Sequence, residues 1–161
     1  MRAAGEMWQG SVVSIHVTPE AGAPMVVVPE ARALPGHGLE GDRYATGRGH
    51  YSPRPSEGGR EITLIETETI DALGNLGVKV SAAETRRNVA TRGVPLNHLV
   101  DRVFRVGEVR LRGTRLCEPC KYLDGLTGDG VMAALVHRGG LRAQILGEGV
   151  IRVGDVVRPE S

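Results

Sequence analysis

The stretch Leu141-Arg142-Ala143-Gln144-Ile145-Leu146-Gly147-Glu148-Gly149-Val150-Ile151-Arg152-Val153-Gly154-Asp155-Val156-Val157 decides the fold class of this chain. Leu141 to Leu146 and Val150 to Val157 read as strands paired around Gly147-Glu148-Gly149. Valine and isoleucine fit the pleated, half-buried surface of a strand. An earlier segment echoes the second half: Arg105-Val106-Gly107-Glu108-Val109 matches Arg152-Val153-Gly154-Asp155-Val156. In each, a β-branched residue leads into glycine and an acid, then into another strand. This is turn chemistry joining strand partners, with glycine at the positive-φ position. The echo is shared hairpin chemistry and no sign of duplicated domains.

Working outward, Met7 to Val17 reads as a first strand, with Val12, Val13, Ile15 and Val17 β-branched. Pro24 and Pro29 bracket a short strand, Met25-Val26-Val27-Val28. Leu34 to Arg60 is rich in glycine and proline and reads as a long irregular stretch, a length usually kept for function or left disordered. Glu61 to Ile65 is a strand that runs into Thr67–Leu76, where Ile70, Leu73 and Leu76 recur at helical spacing and Gly77 stops the helix. Asn88 to Thr91 reads as extended, Pro95 to Val100 as a helical turn, Glu108–Leu116 as a strand, and Gly128 to Arg138 as an amphipathic helix. The total is about eight strands and two or three helices. Strands dominate without alternating regularly with helices. The fold class expected is therefore mainly β with helical insertions (α+β), a closed or partly closed barrel and not a doubly wound sheet.

Composition narrows the function classes. A length of 161 residues suits one domain spanning the chain. Aromatics are 3%, so aliphatic side chains must fill the core. A formal net charge of +1 gives no nucleic-acid footprint. No apolar run approaches the ~20 residues that cross a bilayer, and the N-terminus lacks a signal-peptide layout. A cytoplasmic protein is expected, with its two cysteines reduced. Two arginine clusters, Arg86, Arg87 and Arg92, and Arg110, Arg112 and Arg115, are either solvated faces or a local anion site.

Cys117-Glu118-Pro119-Cys120 is the most chemical segment. A structural zinc site wants four ligands, and no second cysteine pair exists here, with histidines 16, 37, 50, 98 and 137 scattered. A redox pair wants a helix N-terminus at the motif, and Lys121-Tyr122-Leu123-Asp124-Gly125 is a weak helix. Two small side chains packed in a core are the plainest reading. The remaining one is a soft thiolate donor for a heavier metal, with Arg112, Arg115 and Lys121 near in sequence to favour the thiolate.

Seven blocks in order resemble one family. They are Gly38-Leu39-Glu40-Gly41-Asp42-Arg43-Tyr44; Arg60-Glu61-Ile62-Thr63-Leu64-Ile65; Arg86-Arg87-Asn88-Val89; Phe104-Arg105-Val106-Gly107; Cys117-Glu118-Pro119-Cys120; Arg138-Gly139-Gly140-Leu141-Arg142-Ala143; and Ile151-Arg152-Val153-Gly154-Asp155. Together they are similar to the MOSC domain, named for the C-terminal domain of molybdenum cofactor sulfurases. The resemblance runs from about Gly10 to Val157. It implies a β-barrel and a molybdenum cofactor (molybdopterin).

By motif, the family's metal-ligating cysteine corresponds to Cys120, with Cys117 beside it as a weaker cofactor contact. Arg86 and Asn88 match an Arg-x-Asn element placed near the pterin phosphate or the metal's oxo groups. Arg43, Arg86 and Arg92 are candidates for the phosphate. His50 or Tyr51 could move the proton when an N–O bond is reduced. The resemblance thus implies a molybdenum-dependent oxidoreductase that acts on N-hydroxylated small molecules with an electron-donor protein. An alternative of a different class is a carrier: Cys120 bearing a persulfide, or holding cofactor for delivery, in partnership with a sulfurase. At this length neither the separate N-terminal barrel of the reductases nor the pyridoxal-phosphate domain of the sulfurases is expected. A homodimer partner or the Gly-rich loop is therefore expected to close the pocket. Asp155 is expected to fix its own turn, and Asp42 either its loop or the direction of Arg43.

Overall fold

The computed structural model describes residues 8–20, 22–42, 61–117 and 139–160. Arg43, His50, Tyr51, Cys120 and the helix expected over Gly128 to Arg138 lie outside the described residues.

Among the described residues there are eleven strands, one α-helix and two single turns of 3₁₀ helix. The strands are β1 (Gly10–Val17), β2 (Val26–Val28), β3 (Glu30–Leu34), β4 (Gly38–Leu39), β5 (Ile62–Glu66), β6 (Val89–Arg92), β7 (Val103–Val106), β8 (Val109–Leu116), β9 (Leu141–Ile145), β10 (Gly149–Arg152) and β11 (Val156–Pro159). The helix is α1 (Thr67–Asn75). Seven strands run β11-β7-β8-β9-β5-β6-β1, and β1 pairs back to β11, so the sheet closes into a barrel with β2 attached to β1. Closure removes the exposed edges that a flat sheet would present.

β5 and β6 are the parallel pair of the barrel, with Leu64 opposite Val89. A parallel pair needs a crossover. Here α1 provides it, packing Leu73 on Ile65 and Ala90 against the outer wall. Alternation builds the interior. On β8, Val109 and Leu111 are buried while Arg110 and Arg112 face outward. Phe104, Leu64, Val89, Leu141, Ile145 and Val157 join them in one core.

Three expectations need correction. Leu141 to Leu146 does not pair with Val150 to Val157. Both edges of β9 are already taken, by β8 on one side and β5 on the other, so β10 finds its partner in β3. Val150 to Val157 is itself two strands in two sheets, because β10 belongs to a separate three-stranded sheet, β10-β3-β4, and β11 to the barrel. Within Leu34 to Arg60, expected to be irregular, Gly38–Leu39 forms the short strand β4 against β3. The small sheet sends Ala31, Ala33, Leu39 and Ile151 into the same core.

The two echoed segments therefore differ. Gly107, at φ 59°, turns the true hairpin between β7 and β8. Gly154, at φ 92°, turns the chain from one sheet to the other. Asp155 does fix its own turn, its Oδ2 accepting the Arg152 N–H at 2.8 Å.

Candidate functional site

One end of the barrel gathers three of the residues singled out in the sequence, Arg86, Asn88 and Cys117. The bend before β6 sets its geometry. A 3₁₀ turn over Ala83–Thr85 ends on Arg86, which takes a left-handed backbone at φ 63°. That conformation costs a residue with a Cβ roughly 1–2 kcal/mol. The reversal points two successive arginines into the protein, and Arg86 and Arg87 are only 7% and 8% exposed.

Arg86 Nη1 donates to the Ala23 carbonyl in the β1–β2 connection at 2.7 Å. Arg87 turns the other way. Its Nε donates to the Gly139 carbonyl at 2.7 Å and its Nη2 to the Cys117 carbonyl at 3.3 Å. The Cys117 N–H donates to the Gly140 carbonyl at 2.7 Å. Cys117 and Gly139 are the described residues on either side of 118–138, the stretch that contains Cys120. A single guanidinium thus ties both together. Among the described residues no carboxylate pairs with Arg87.

His16 supports this arrangement from β1. It is fully buried, and its Nδ1–H donates to the Arg87 carbonyl at 2.8 Å. A carbonyl can only accept, so the neutral ring carries its proton on Nδ1, leaving Nε2 to accept from the Ser14 hydroxyl at 2.8 Å. Burial pushes the His16 pKa below the ordinary imidazole value, against the opposing pull of the Arg87 carbonyl.

Asn88 binds three strands together. Its Oδ1 accepts from the Thr63 N–H at 3.0 Å and the Thr63 hydroxyl at 3.2 Å, and its Nδ2 donates to the His16 carbonyl at 3.1 Å. Its amide is committed to β5 and β1. Asp42, also fully buried, accepts the Thr18 N–H at 3.1 Å just beyond β1. That fixes the chain immediately before Arg43.

The structure therefore brings Arg86, Asn88 and Cys117 to one end of the barrel and leaves Arg92 apart. Arg92 lies at the opposite end of β6, exposed and ion-paired with Asp71 at 3.3 Å. The second arginine cluster lies on the outer wall. Arg110 makes a two-pronged contact to Glu160 at 2.7 and 2.9 Å, and Arg112 sits 3.5 Å from Asp101. The Arg110 contact holds the Glu160 carboxyl below its ordinary range.

Sequence reasoning placed Arg87 in an arginine cluster and His16 among scattered histidines, without assigning either a place in the site. A histidine inside the apolar strand Val12–Val17 was the available signal for the second, and the middle position of Arg86-Arg87-Asn88 for the first. Immediately before β5, Glu61 accepts the Gly36 N–H at 2.9 Å and the Ile145 N–H at 3.1 Å, joining the small sheet to the barrel. Burial pushes its carboxyl above the ordinary range despite those donors.

The donor set fits a phosphate-bearing pterin with a soft metal. Two buried guanidinium groups suit an anion, and cysteine sulfur is a donor type that a soft metal prefers. Among the described residues no three His, Cys, Asp or Glu side chains form a group that could hold a bare ion. No helix among them is long and apolar enough to cross a membrane.

A closed seven-stranded barrel whose parallel pair is bridged by an outer helix, with buried cationic side chains beside a cysteine segment, defines the class of protein. The chain belongs to the MOSC domain family, whose model matches residues 46–158. That family is linked to molybdenum cofactor binding. The fold is similar to that of the YuaD protein from Bacillus subtilis, at 17% identity and a TM-score of 0.73, over 94% of this chain and 97% of that one. It is also similar to YiiM from Geobacillus stearothermophilus, at 15% identity and a TM-score of 0.70, over 94% and 75%. YiiM from Escherichia coli is similar at 16% identity and a TM-score of 0.67, over 94% and 70%. No match is found among curated proteins.

Proposed function

We propose that this protein binds a molybdenum cofactor through the Cys120 thiolate and reduces N-hydroxylated small molecules by two-electron oxo transfer. The observation that carries the reading is the Arg87 guanidinium. It is a buried positive charge, balanced by no carboxylate among the described residues, set between the two chain ends that flank the Cys120 stretch. A buried guanidinium beside a cysteine segment is the kind of cationic setting that suits an anionic cofactor.

When bound, the cofactor supplies a metal able to accept the substrate oxygen and cycle two electrons. The chain's own groups do the rest. Arg86, fixed on the Ala23 carbonyl, and Arg43, following the anchored Asp42, meet the phosphate. Cys117, buried at the end of β8, is a weaker cofactor contact beside the Cys120 ligand. Asn88 holds the floor by joining β1 and β5. Arg92, on the outer surface with Asp71, stands outside this set. His50 gives a proton to the departing oxygen. The N–O bond breaks, two electrons and two protons are taken up, and the products are an N–H compound and water. An electron-donor protein supplies the electrons. The setting is the cytoplasm, and a second copy of the chain closes the pocket.

The test is dye oxidation under nitrogen. Protein from a host that makes the cofactor is mixed with a dithionite-reduced viologen and an aryl amidoxime. Amidoxime-dependent oxidation is expected in the wild type, and its loss in Cys120→Ser. Molybdenum-loaded wild type that oxidises no dye would overturn the reductase assignment.

A further inference from the structure

We propose that Arg87 is a positioning residue: by reaching the Cys117 and Gly139 carbonyls it fixes the shared end of β8 and β9, from which the Cys120 stretch departs, relative to the start of β6. Its significance for the cofactor rests on the proposed function, but the bridge itself rests on the contacts alone.

Three observations carry it. First, the bridge is two-pronged. Nε and Nη2 of one planar group reach two carbonyls that belong to different strand ends, Cys117 after β8 and Gly139 before β9. Lysine, with a single nitrogen, cannot reproduce a fixed fork of donors.

Second, the bridge is held from behind. The Arg87 carbonyl accepts from His16, and the Arg87 N–H lies 3.4 Å from the Thr85 hydroxyl, so the backbone that carries the guanidinium is itself fixed. The Asn88 amide then locks the next residue to β5 and β1.

Third, the strand ends it joins are already close. The Cys117 N–H bonds to the Gly140 carbonyl, and Leu116 pairs with Leu141. Arg87 therefore adds no new contact between β8 and β9. It fixes their shared end relative to the start of β6, a third strand on the far side of β5. Its Nε and Nη2 are directed at backbone oxygens, which is the geometry of a brace.

The prediction is read on full-length protein without cofactor, so it does not depend on molybdenum. Alkylation of Cys117 by N-ethylmaleimide, followed by mass spectrometry, reports how often this end of the barrel opens. Cys117 is 2% exposed in the intact fold. Arg87→Met is expected to speed its alkylation at least about tenfold, the size of losing hydrogen bonds to a charged donor. Arg87→Lys is expected to fall between, and serves if Arg87→Met does not fold. Val157→Ala, at the β1–β11 seam, is the control for general destabilisation and is expected to leave Cys117 protected. Unchanged alkylation in both Arg87 variants, or equal exposure in Val157→Ala, would overturn the proposal. Failure here leaves the assignment of Cys120 untouched, and absence of molybdenum leaves the brace untouched.

Discussion

Arg86 shows how a single residue couples backbone strain to chemistry. Its left-handed conformation favours glycine, yet the position holds a long cation whose Nη1 reaches the Ala23 carbonyl. Strain held at one residue marks a place where the side chain matters. Arg86→Gly and Arg86→Ala both remove the guanidinium, but only alanine retains the strained Cβ. Urea unfolding is expected to find the glycine variant more stable than the alanine variant by about 1 kcal/mol. Both variants are expected to retain less molybdenum than the wild type. His16 gives a pH signature at the same scale. Burial lowers its folded pKa below the unfolded value of about 6.5. The neutral ring therefore contributes stability that is fully present above that pH and is lost as pH falls toward the lowered value. The melting temperature of the wild type is expected to drop between pH 6.5 and 5 more steeply than that of His16→Gln. Parallel curves would contradict this.

At the scale of elements, the sequence was legible where structure is local. β1, β2, β5, α1 and β8 follow from β-branched runs, helical spacing and breakers within their own residues. What could not be read is which strand meets which. β9 looks like the partner of β10 because three residues separate them. Its edges are instead filled by β5 and β8, and those pairings are settled by closure of the whole barrel. β3, Glu-Ala-Arg-Ala-Leu, has weak strand propensity and is made extended by β10 and β4. The site divides in the same way. Arg86, Asn88 and Cys117 were found through motif resemblance, whereas Arg87 and His16 gain their roles from contacts 30 to 71 residues apart in sequence.

Gly140 tests the close approach of elements. At φ 99° it passes β5 so tightly that a Cβ would collide with the Leu64 carbonyl oxygen. Gly36, at φ 78°, has open space around it. Gly140→Ala is expected to cost on the order of 3 kcal/mol, from strain and collision together, and Gly36→Ala about 1 kcal/mol, from strain alone. Urea unfolding of the pair separates the two causes. Equal losses would show that the approach to β5 is not tight in solution.

At the scale of the molecule, the closed barrel is a rigid frame. It collects the ends of distant segments at one rim, where Asp42 fixes the chain before Arg43 and Arg87 fixes the chain on both sides of the Cys120 stretch. Buried cations and a cysteine in that setting are the basis for a cofactor-binding role. The most direct test is the metal content of protein purified from a host able to make the molybdenum cofactor, read by mass spectrometry for wild type, Cys117→Ser and Cys120→Ser. The account predicts near-stoichiometric molybdenum in the wild type, most of it kept in Cys117→Ser and lost in Cys120→Ser; wild-type protein without molybdenum, or Cys120→Ser that keeps it, would contradict the account.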